Sequence, residues 1–213
     1  MKHLLDANTL IEAKNRYYGM TICPGYWSWL LLQNQAFELA SIVSVKDELT
    51  KGKDELAEWA KDHAGLFHDI SDDETQAAFG QVAAAIAELG DKMKVGALEE
   101  FLGGADPWLI ANRPLKNVGE AAETRQKRPK KRSLRVVNEH FEAVFNAVSA
   151  TQVVFQRPAK AMTTGATLVT HEVLNREVKR KFIIPNVCEM FGVPYMNTFA
   201  LLNKLEARFV LPT

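Results

Sequence analysis

The sequence predicts an α/β protein with a central, mostly parallel sheet. Short β-rich apolar runs alternate along the chain with longer segments of helical periodicity, and hairpin signals are few. Because helices then connect successive strands, the strands run in the same direction within one sheet. The 213 residues are 47% apolar and 24% charged, a composition typical of a globular domain with its own core.

Each element is predicted from its periodicity and from the turn residues around it. Strands are predicted where short apolar runs are closed by turn residues, at 2–7, 37–43, 166–170 and 181–185, with a last one in FVL at 209–211. Helices are predicted where apolar residues recur with helical spacing, at 9–18, 26–35, 53–64, 72–87, 94–102, 186–192 and 197–207. This order is that of a sheet with helical crossovers.

Two further helices are predicted from their first residues. Ser44, followed three positions later by Asp47, resembles a capping box, so a helix should start at residue 45 with Glu48 in its first or second turn. In GGADPWLIAN, Asp106 has the position of an N-cap and Pro107 that of the first helical residue. Both helices therefore begin beside an acidic side chain.

A basic segment, 113–160, interrupts the alternation of strands and helices. It holds eleven Lys and Arg against four Glu, whereas the rest of the chain holds fifteen basic and twenty-two acidic residues. Without it, the helix in DPWLIAN would reach the strand at 166–170 through an ordinary short connection. We therefore interpret 1–213 as a single domain with its core in 1–112 and 161–213, interrupted by a basic insertion that is helical or disordered.

The most basic part of the insertion is RQKRPKKRSLR at 125–135, with seven basic residues in eleven. A run of this kind is typical of a solvated, disordered linker. The alternative is contact with RNA phosphates, which makes binding depend on salt because each neutralised phosphate releases counterions. The sequence alone leaves both interpretations open.

Four acidic residues fall at the ends of predicted strands or in the opening turns of helices. Asp6 ends the first strand and Glu172 the third, while Glu48 and Asp106 lie at helix starts. In an open parallel sheet these positions share one edge, where ligands bind. Several carboxylates at one place repel one another unless a cation lies among them, and Mg²⁺ or Mn²⁺ is the cation that carboxylate oxygens suit.

Each acid also has an interpretation that needs no metal. Asp106 can be a helix N-cap, Asp6 a cap at a strand end, and Glu48 a solvated helix charge. HEVLN at 171–175 lacks the second histidine of HExxH, which argues against a zinc protease. The metal hypothesis therefore depends on the joint placement of the four acids.

The cysteines and the first residues indicate a cytoplasmic protein. Cys23 and Cys188 form neither a CxxC motif nor a Cys/His cluster, which argues against a zinc site and against a disulfide framework. Lys2, His3 and Asp6 leave no room for the apolar segment of a signal peptide. We therefore expect a reducing, cytoplasmic environment and no membrane-spanning segment.

Several segments, taken in order, resemble the PIN domain, the fold of many ribonuclease toxins in bacterial toxin–antitoxin pairs. They are LLDANTLIEA, SIVSVKDEL, GADPWLIA and ATLVTHE, while AKNRYYG, CPGYWSWL, IPNVCEMFGV and the final FVL extend the similarity to a PIN-like bacterial family. The resemblance covers about 1–112 and 161–213. It implies a PIN-like three-layer α/β/α fold and a metal-dependent ribonuclease that cleaves single-stranded RNA.

The resemblance also implies roles for individual residues. The acids that would hold Mg²⁺ or Mn²⁺ and carry catalysis are Asp6, Glu48, Asp106 and Glu172. Asn8 or Thr9 would be the small polar neighbour of the first acid, and Thr170 would support the acids or position water. Glu172 is one methylene longer than the aspartate usual at this place in the family.

Residues near the first acid offer weaker signals for RNA. Lys14 and Arg16 could contact phosphates, and Tyr17 could stack on a base. The alternative is surface charge beside a core aromatic.

The leading hypothesis is therefore a cytoplasmic Mg²⁺- or Mn²⁺-dependent endoribonuclease, the toxin of a toxin–antitoxin pair. Its partners would be RNA, a cognate antitoxin and a second copy of itself in a homodimer. The competing hypothesis is a catalytically inactive PIN-like protein that binds RNA or another protein, disabled by the insertion at 113–160.

Overall fold

The computed structural model describes residues 2–89, 93–111 and 165–209, and the strands within these ranges form one sheet. The strands are β1 His3–Leu5, β2 Leu39–Ile42, β3 Phe67–His68, β4 Thr167–Val169 and β5 Tyr195–Met196. Every pairing is parallel, and the order across the sheet is β3-β2-β1-β4-β5. The predicted α/β class with a parallel sheet is therefore confirmed, and β1 lies at its centre.

Helices flank this sheet and give a three-layer α/β/α arrangement. Between β1 and β2 lie α1 Ala7–Glu12, which continues as a π-helical turn over Ala13–Tyr17, and α2 Pro24–Gln35. The later helices are α3 Val43–Thr50, α4 Glu55–Asp62, α5 Asp73–Ala87, α6 Ala97–Leu102, α7 Asp106–Ala111, α8 Ile184–Phe191 and α9 Thr198–Lys204. No helix in the described ranges is long and apolar enough to span a bilayer.

The central strands are buried on both faces, as is usual for a parallel sheet covered by helices. Every residue of β1 and β2 is buried. Burial of an apolar side chain such as Leu5 or Ile42 stabilises the fold by about 1.5–3 kcal/mol. Phe79 of α5 stacks on Trp108 of α7 with ring centroids 3.8 Å apart, which fixes the position of α7.

The start of α3 differs from the prediction. The helix begins at Val43, immediately after β2, and its N-cap is Ile42, whose side chain makes no capping hydrogen bond. Ser44 therefore lies inside the first helical turn, and the predicted capping box of Ser44 and Asp47 is wrong. A strand that runs directly into a helix leaves no turn residue to act as a cap.

The strand predicted at 181–185 is also wrong. This segment has no strand, and Ile184 begins α8 with Pro185 in its first turn, where the missing N–H of proline costs no hydrogen bond. β3 and β5 are not predicted from the sequence, because a run of two residues is too short to show the alternation of a strand. The insertion at 113–160 and residues 210–211 of the last predicted strand lie outside the described residues.

Candidate functional site

The four acids predicted to share a sheet edge line one cavity of about 270 Å³. They are Asp6, Glu48, Asp106 and Glu172, and Asn8, Glu100 and Lys181 lie in the same wall. Asp6 directly follows β1, and Glu172 comes three positions after the end of β4, which pairs with β1. The cavity is therefore at the carboxyl ends of adjacent central strands, where parallel sheets bind ligands.

Asp6 is held by the strand that neighbours its own. Its backbone N–H donates to the carbonyl oxygen of Val169 at 3.0 Å, and its side chain is buried. The Thr170 hydroxyl donates to Asp6 Oδ2 at 2.9 Å and accepts from the backbone N–H of Glu172 at 3.1 Å. One hydroxyl therefore connects the first acid of the chain to the last.

Glu48 and Asp106 are joined through the start of α7. Glu48 lies in the second turn of α3, and its Oε1 accepts from the backbone N–H of Ala105 at 2.8 Å. Asp106 follows directly and is the first residue of α7. Since Trp108 stacks on α5, the helix that carries Asp106 is fixed on both sides of the acid.

Both oxygens of Glu172 have protein partners. Oε1 accepts from the Lys181 ammonium at 2.6 Å, and Oε2 accepts from the backbone N–H of Ile184 at 2.7 Å. Ile184 begins α8, so the loop from β4 to α8 closes on the carboxylate. Glu172 is therefore held in the cavity wall by its own loop.

Burial and neighbouring charges raise the pKa values of Asp6 and Asp106. Burial raises the pKa of Asp6 to about 6, against the hydrogen bond from Thr170, and the charges of Glu172 and Glu48 raise it further. Burial, followed by the charges of Asp6, Glu172 and Glu48, raises the pKa of Asp106 to about 8, while Lys181 opposes the shift. Burial disfavours the charged form of both carboxyls, and the neighbouring carboxylates disfavour it further.

The donor set suits a hard divalent cation in its chemistry. Carboxylate oxygens are the protein ligands that Mg²⁺ and Mn²⁺ prefer, and a cation would offset the repulsion that adds to burial in raising the pKa values of Asp6 and Asp106. Within the described residues, no three His, Cys, Asp or Glu side chains are already arranged to hold an ion. One oxygen of Glu48 and both oxygens of Glu172 accept hydrogen bonds from the protein. A cation would compete with those donors.

A family comparison covers nearly the whole chain. The sequence matches the family described as "Domain of unknown function (DUF4411)" over residues 3–142 and 135–209. The chain belongs to the DUF4411 family. Searches of curated proteins and of solved structures found no match.

Of the other predicted site residues of this DUF4411 chain, Asn8 and Thr9 closely follow Asp6 in α1 but differ in exposure. The Thr9 hydroxyl is buried and donates to the carbonyl oxygen of Val169 at 2.8 Å, so it holds the start of α1 against β4. Asn8 lines the cavity, and its backbone N–H lowers the pKa of Asp6 through a hydrogen bond. Lys14 and Arg16 are outside the cavity wall.

The two basic residues predicted to contact RNA each pair with an acid. Lys14 binds Asp54, the N-cap of α4, and only 17% of its side chain is exposed. Arg16 Nε lies 3.0 Å from Glu12 Oε2, one turn earlier. Lys14 therefore holds α4 to the turn after α1, whereas Arg16 remains largely exposed.

Sequence reasoning missed Lys181 and the meeting of three rings beside the DUF4411 site. Lys181 was hidden by the wrong strand prediction, which gave no reason to place it beside Glu172. Tyr17 stacks on His171 with centroids 5.7 Å apart and meets Phe199 edge-on at 5.0 Å. His171 directly precedes Glu172, so these three rings, the ring cluster, lie beside the site. The sequence predicts base stacking for Tyr17 and has His171 next to Glu172, but no local pattern indicates that Phe199 meets them.

Replacing Thr170 with valine should remove both hydrogen bonds of its hydroxyl at nearly constant volume. We expect the free energy of unfolding to fall by about 1–3 kcal/mol, because buried Asp6 loses a donor and the Glu172 N–H loses an acceptor. Urea unfolding in EDTA measures the effect.

Thr50→Val is the matched control for that variant. Its hydroxyl donates to the carbonyl oxygen of Asp47 at 3.0 Å in an exposed position, so its loss should cost less than about 0.5 kcal/mol. Equal losses in the two variants would show that the Thr170 hydroxyl does not organise the acids.

Proposed function

We propose that this protein is a divalent-metal-dependent endoribonuclease of the PIN type that hydrolyses single-stranded RNA. The observation that carries the proposal is the convergence of four carboxylates, from four separate segments, on one cavity at the carboxyl ends of parallel strands. The same four residues, Asp6, Glu48, Asp106 and Glu172, match the acids of the PIN domain in the sequence resemblance. Convergence of acids that repel one another has a functional explanation in cation binding.

The chain's residues have distinct tasks in this mechanism. Asp6, Glu48, Asp106 and Glu172 would hold Mg²⁺ or Mn²⁺, which supplies positive charge to a phosphoryl oxygen and lowers the pKa of water. Thr170 orients Asp6 through its hydroxyl, and the Ala105 N–H orients Glu48. These hydrogen bonds keep the carboxylates in place before substrate arrives, which is what electrostatic stabilisation of a transition state requires.

Water is the attacking group in the proposed reaction. The cavity wall, among the residues that the structure describes, contains no Ser, Thr, Cys, His or Tyr side chain. The described wall of the cavity therefore offers no hydroxyl, thiol or imidazole nucleophile for a covalent intermediate. Direct hydrolysis of the phosphodiester follows.

The ring cluster supports single-stranded RNA as the substrate. Tyr17 and Phe199 are 45% and 42% exposed. Both rings contact His171, which directly precedes Glu172. An exposed ring can stack on an unpaired base with a gain of about 1–3 kcal/mol, whereas the bases of a duplex are already stacked. Arg16 and the basic run at 125–135, which lies outside the described residues, are further candidates for phosphate contact.

The PIN resemblance also supports a biological setting. Many proteins of that fold are toxins held inactive by an antitoxin, so we propose the same for this chain in the cytoplasm, with homodimerisation as a further element. A second candidate function is binding of RNA or protein without catalysis. It is favoured by the engagement of Glu48 and Glu172 with protein donors, which a cation must displace.

Cleavage of paired and unpaired RNA of one sequence tests the proposal. We expect the single strand to be cut with Mn²⁺ or Mg²⁺ and the duplex to be cut at least about tenfold more slowly. EDTA should stop both reactions until Mn²⁺ is restored. Cleavage that persists in EDTA would contradict the metal mechanism. Binding of the single strand without cleavage under any metal would establish the second candidate instead.

A further inference from the structure

Lys181 is the single basic side chain in the cavity wall, within the described residues. Its ammonium lies 2.6 Å from Glu172 Oε1, and 53% of the side chain is exposed. It therefore extends from the acid cluster toward solvent, where a substrate would enter.

The backbone at Lys181 is fixed although its side chain is long and open. Phe182 is buried and packs on Phe101 of α6 with ring centroids 5.5 Å apart. On the other side, the Ile184 N–H binds Glu172. The ammonium can therefore move through its own side-chain rotations without any movement of the loop.

The net negative charge of the cavity wall would repel a phosphodiester unless a cationic group contacted it. Its wall contains five acids and one lysine: Asp6, Glu48, Glu100, Asp106, Glu172 and Lys181. A phosphodiester that approaches five acids is repelled, and one divalent ion does not offset all of them. A lysine ammonium is a compact charge on a flexible stem and suits phosphate as a point contact.

We propose that Lys181 contacts the phosphate of the RNA substrate, and that its ammonium leaves Glu172 to bind this phosphate when the Glu172 carboxylate binds a divalent cation. The proposal rests on the proposed function and adds a substrate-binding residue to it. Lys181 and the cation compete for Glu172, so the lysine weakens cation binding and strengthens substrate binding. These two effects have opposite signs.

The experiment measures cation binding and substrate cleavage separately, because the loss of Lys181 should strengthen the first and weaken the second. Lys181→Met keeps the stem and removes the charge, Lys181→Arg keeps the charge, and Lys179→Met removes a charge from the same loop outside the cavity wall. Mn²⁺ affinity without RNA is measured from the electron paramagnetic resonance signal of free Mn²⁺. Cleavage of a single-stranded RNA is measured at saturating Mn²⁺, with melting curves as the check on folding.

We expect Lys181→Met to bind Mn²⁺ about fivefold more tightly and to lose about thirtyfold in kcat/KM. Lys181→Arg should stay within about threefold of the unmodified protein in both measurements, and Lys179→Met should be unchanged. Unchanged Mn²⁺ affinity or unchanged kcat/KM in Lys181→Met would overturn the inference while leaving the proposed function intact. Absence of Mn²⁺ binding and cleavage in the unmodified protein would overturn both.

Discussion

Asp6→Asn should lower RNA cleavage at saturating Mn²⁺ by about a thousandfold or more while the fold is retained. Asp6 is 2% exposed and receives the Thr170 hydroxyl on Oδ2. An asparagine oxygen can accept the same hydrogen bond, so the substitution removes the charge but not the contact. The loss of activity would then report a missing negative charge at the centre of the acid cluster.

The measurement is kcat/KM on a single-stranded RNA, with thermal unfolding as the check on folding. Asp47→Asn is the matched control, because Asp47 precedes Glu48 on α3 but is exposed and outside the cavity wall. We expect the control to cleave at the normal rate. Activity within about tenfold of normal in Asp6→Asn would refute a metal mechanism centred on this residue.

Replacement of a half-buried charged group usually destabilises a protein, but Asp106→Asn should stabilise this one. In metal-free protein at pH 8 we expect its free energy of unfolding to rise by about 2 kcal/mol, or about 5 °C in Tm. The pKa of Asp106 is raised to about 8, chiefly by burial and then by Asp6 and the two glutamates. Removing this charge relieves the repulsion.

The pH dependence of the unmodified protein has the same origin. Since the pKa of Asp6 is about 6 and that of Asp106 about 8, both above 3.8, the folded protein keeps protons that the unfolded chain has released. Its free energy of unfolding therefore falls as the pH rises from 4 through 8. Burial lowers the pKa values of His3, His68 and His171, so these residues act in the opposite direction below about 6.5.

Comparison of the two proteins removes the contribution of the histidines, which they share. Chemical unfolding in EDTA at pH 5, 6.5 and 8 should give a gain in Asp106→Asn that grows with pH. Mn²⁺ should stabilise the unmodified protein at pH 8 and stabilise the variant much less. A gain that is constant across the three pH values would show that the charge of Asp106 is not its cause.

The sequence predicts the α/β class and the meeting of the acids for one physical reason. Asp6 and Glu172 follow apolar runs that are long enough to be recognised as strands, and parallel strands bring their ends to one edge. The placement of Glu48 survives the error in the cap of α3, because the helix begins two residues earlier than predicted and Glu48 still lies within its first two turns. The hydrophobic pattern of the strands and helices therefore predicts the positions of these three acids.

The rest of the site depends on tertiary contacts that no local pattern encodes. KFIIP has the composition of a strand, yet the helix start at Ile184 and the carboxylate of Glu172 determine its path. Lys181 becomes part of the cavity only because the loop closes on that carboxylate. The meeting of Tyr17 with Phe199 likewise joins segments that are remote in sequence.

The position of β1 between β2 and β4 has a consequence for synthesis. β1 ends at Leu5, but its β4 partner begins at Thr167, and the hydrogen bond from Thr170 to Asp6 spans 164 positions. Contacts of such long separation form late, because the intervening chain must first be ordered. A growing chain therefore carries its first acid without its last, and on the proposed function it leaves RNA uncut until the segment with Thr170 and Glu172 has been made and ordered.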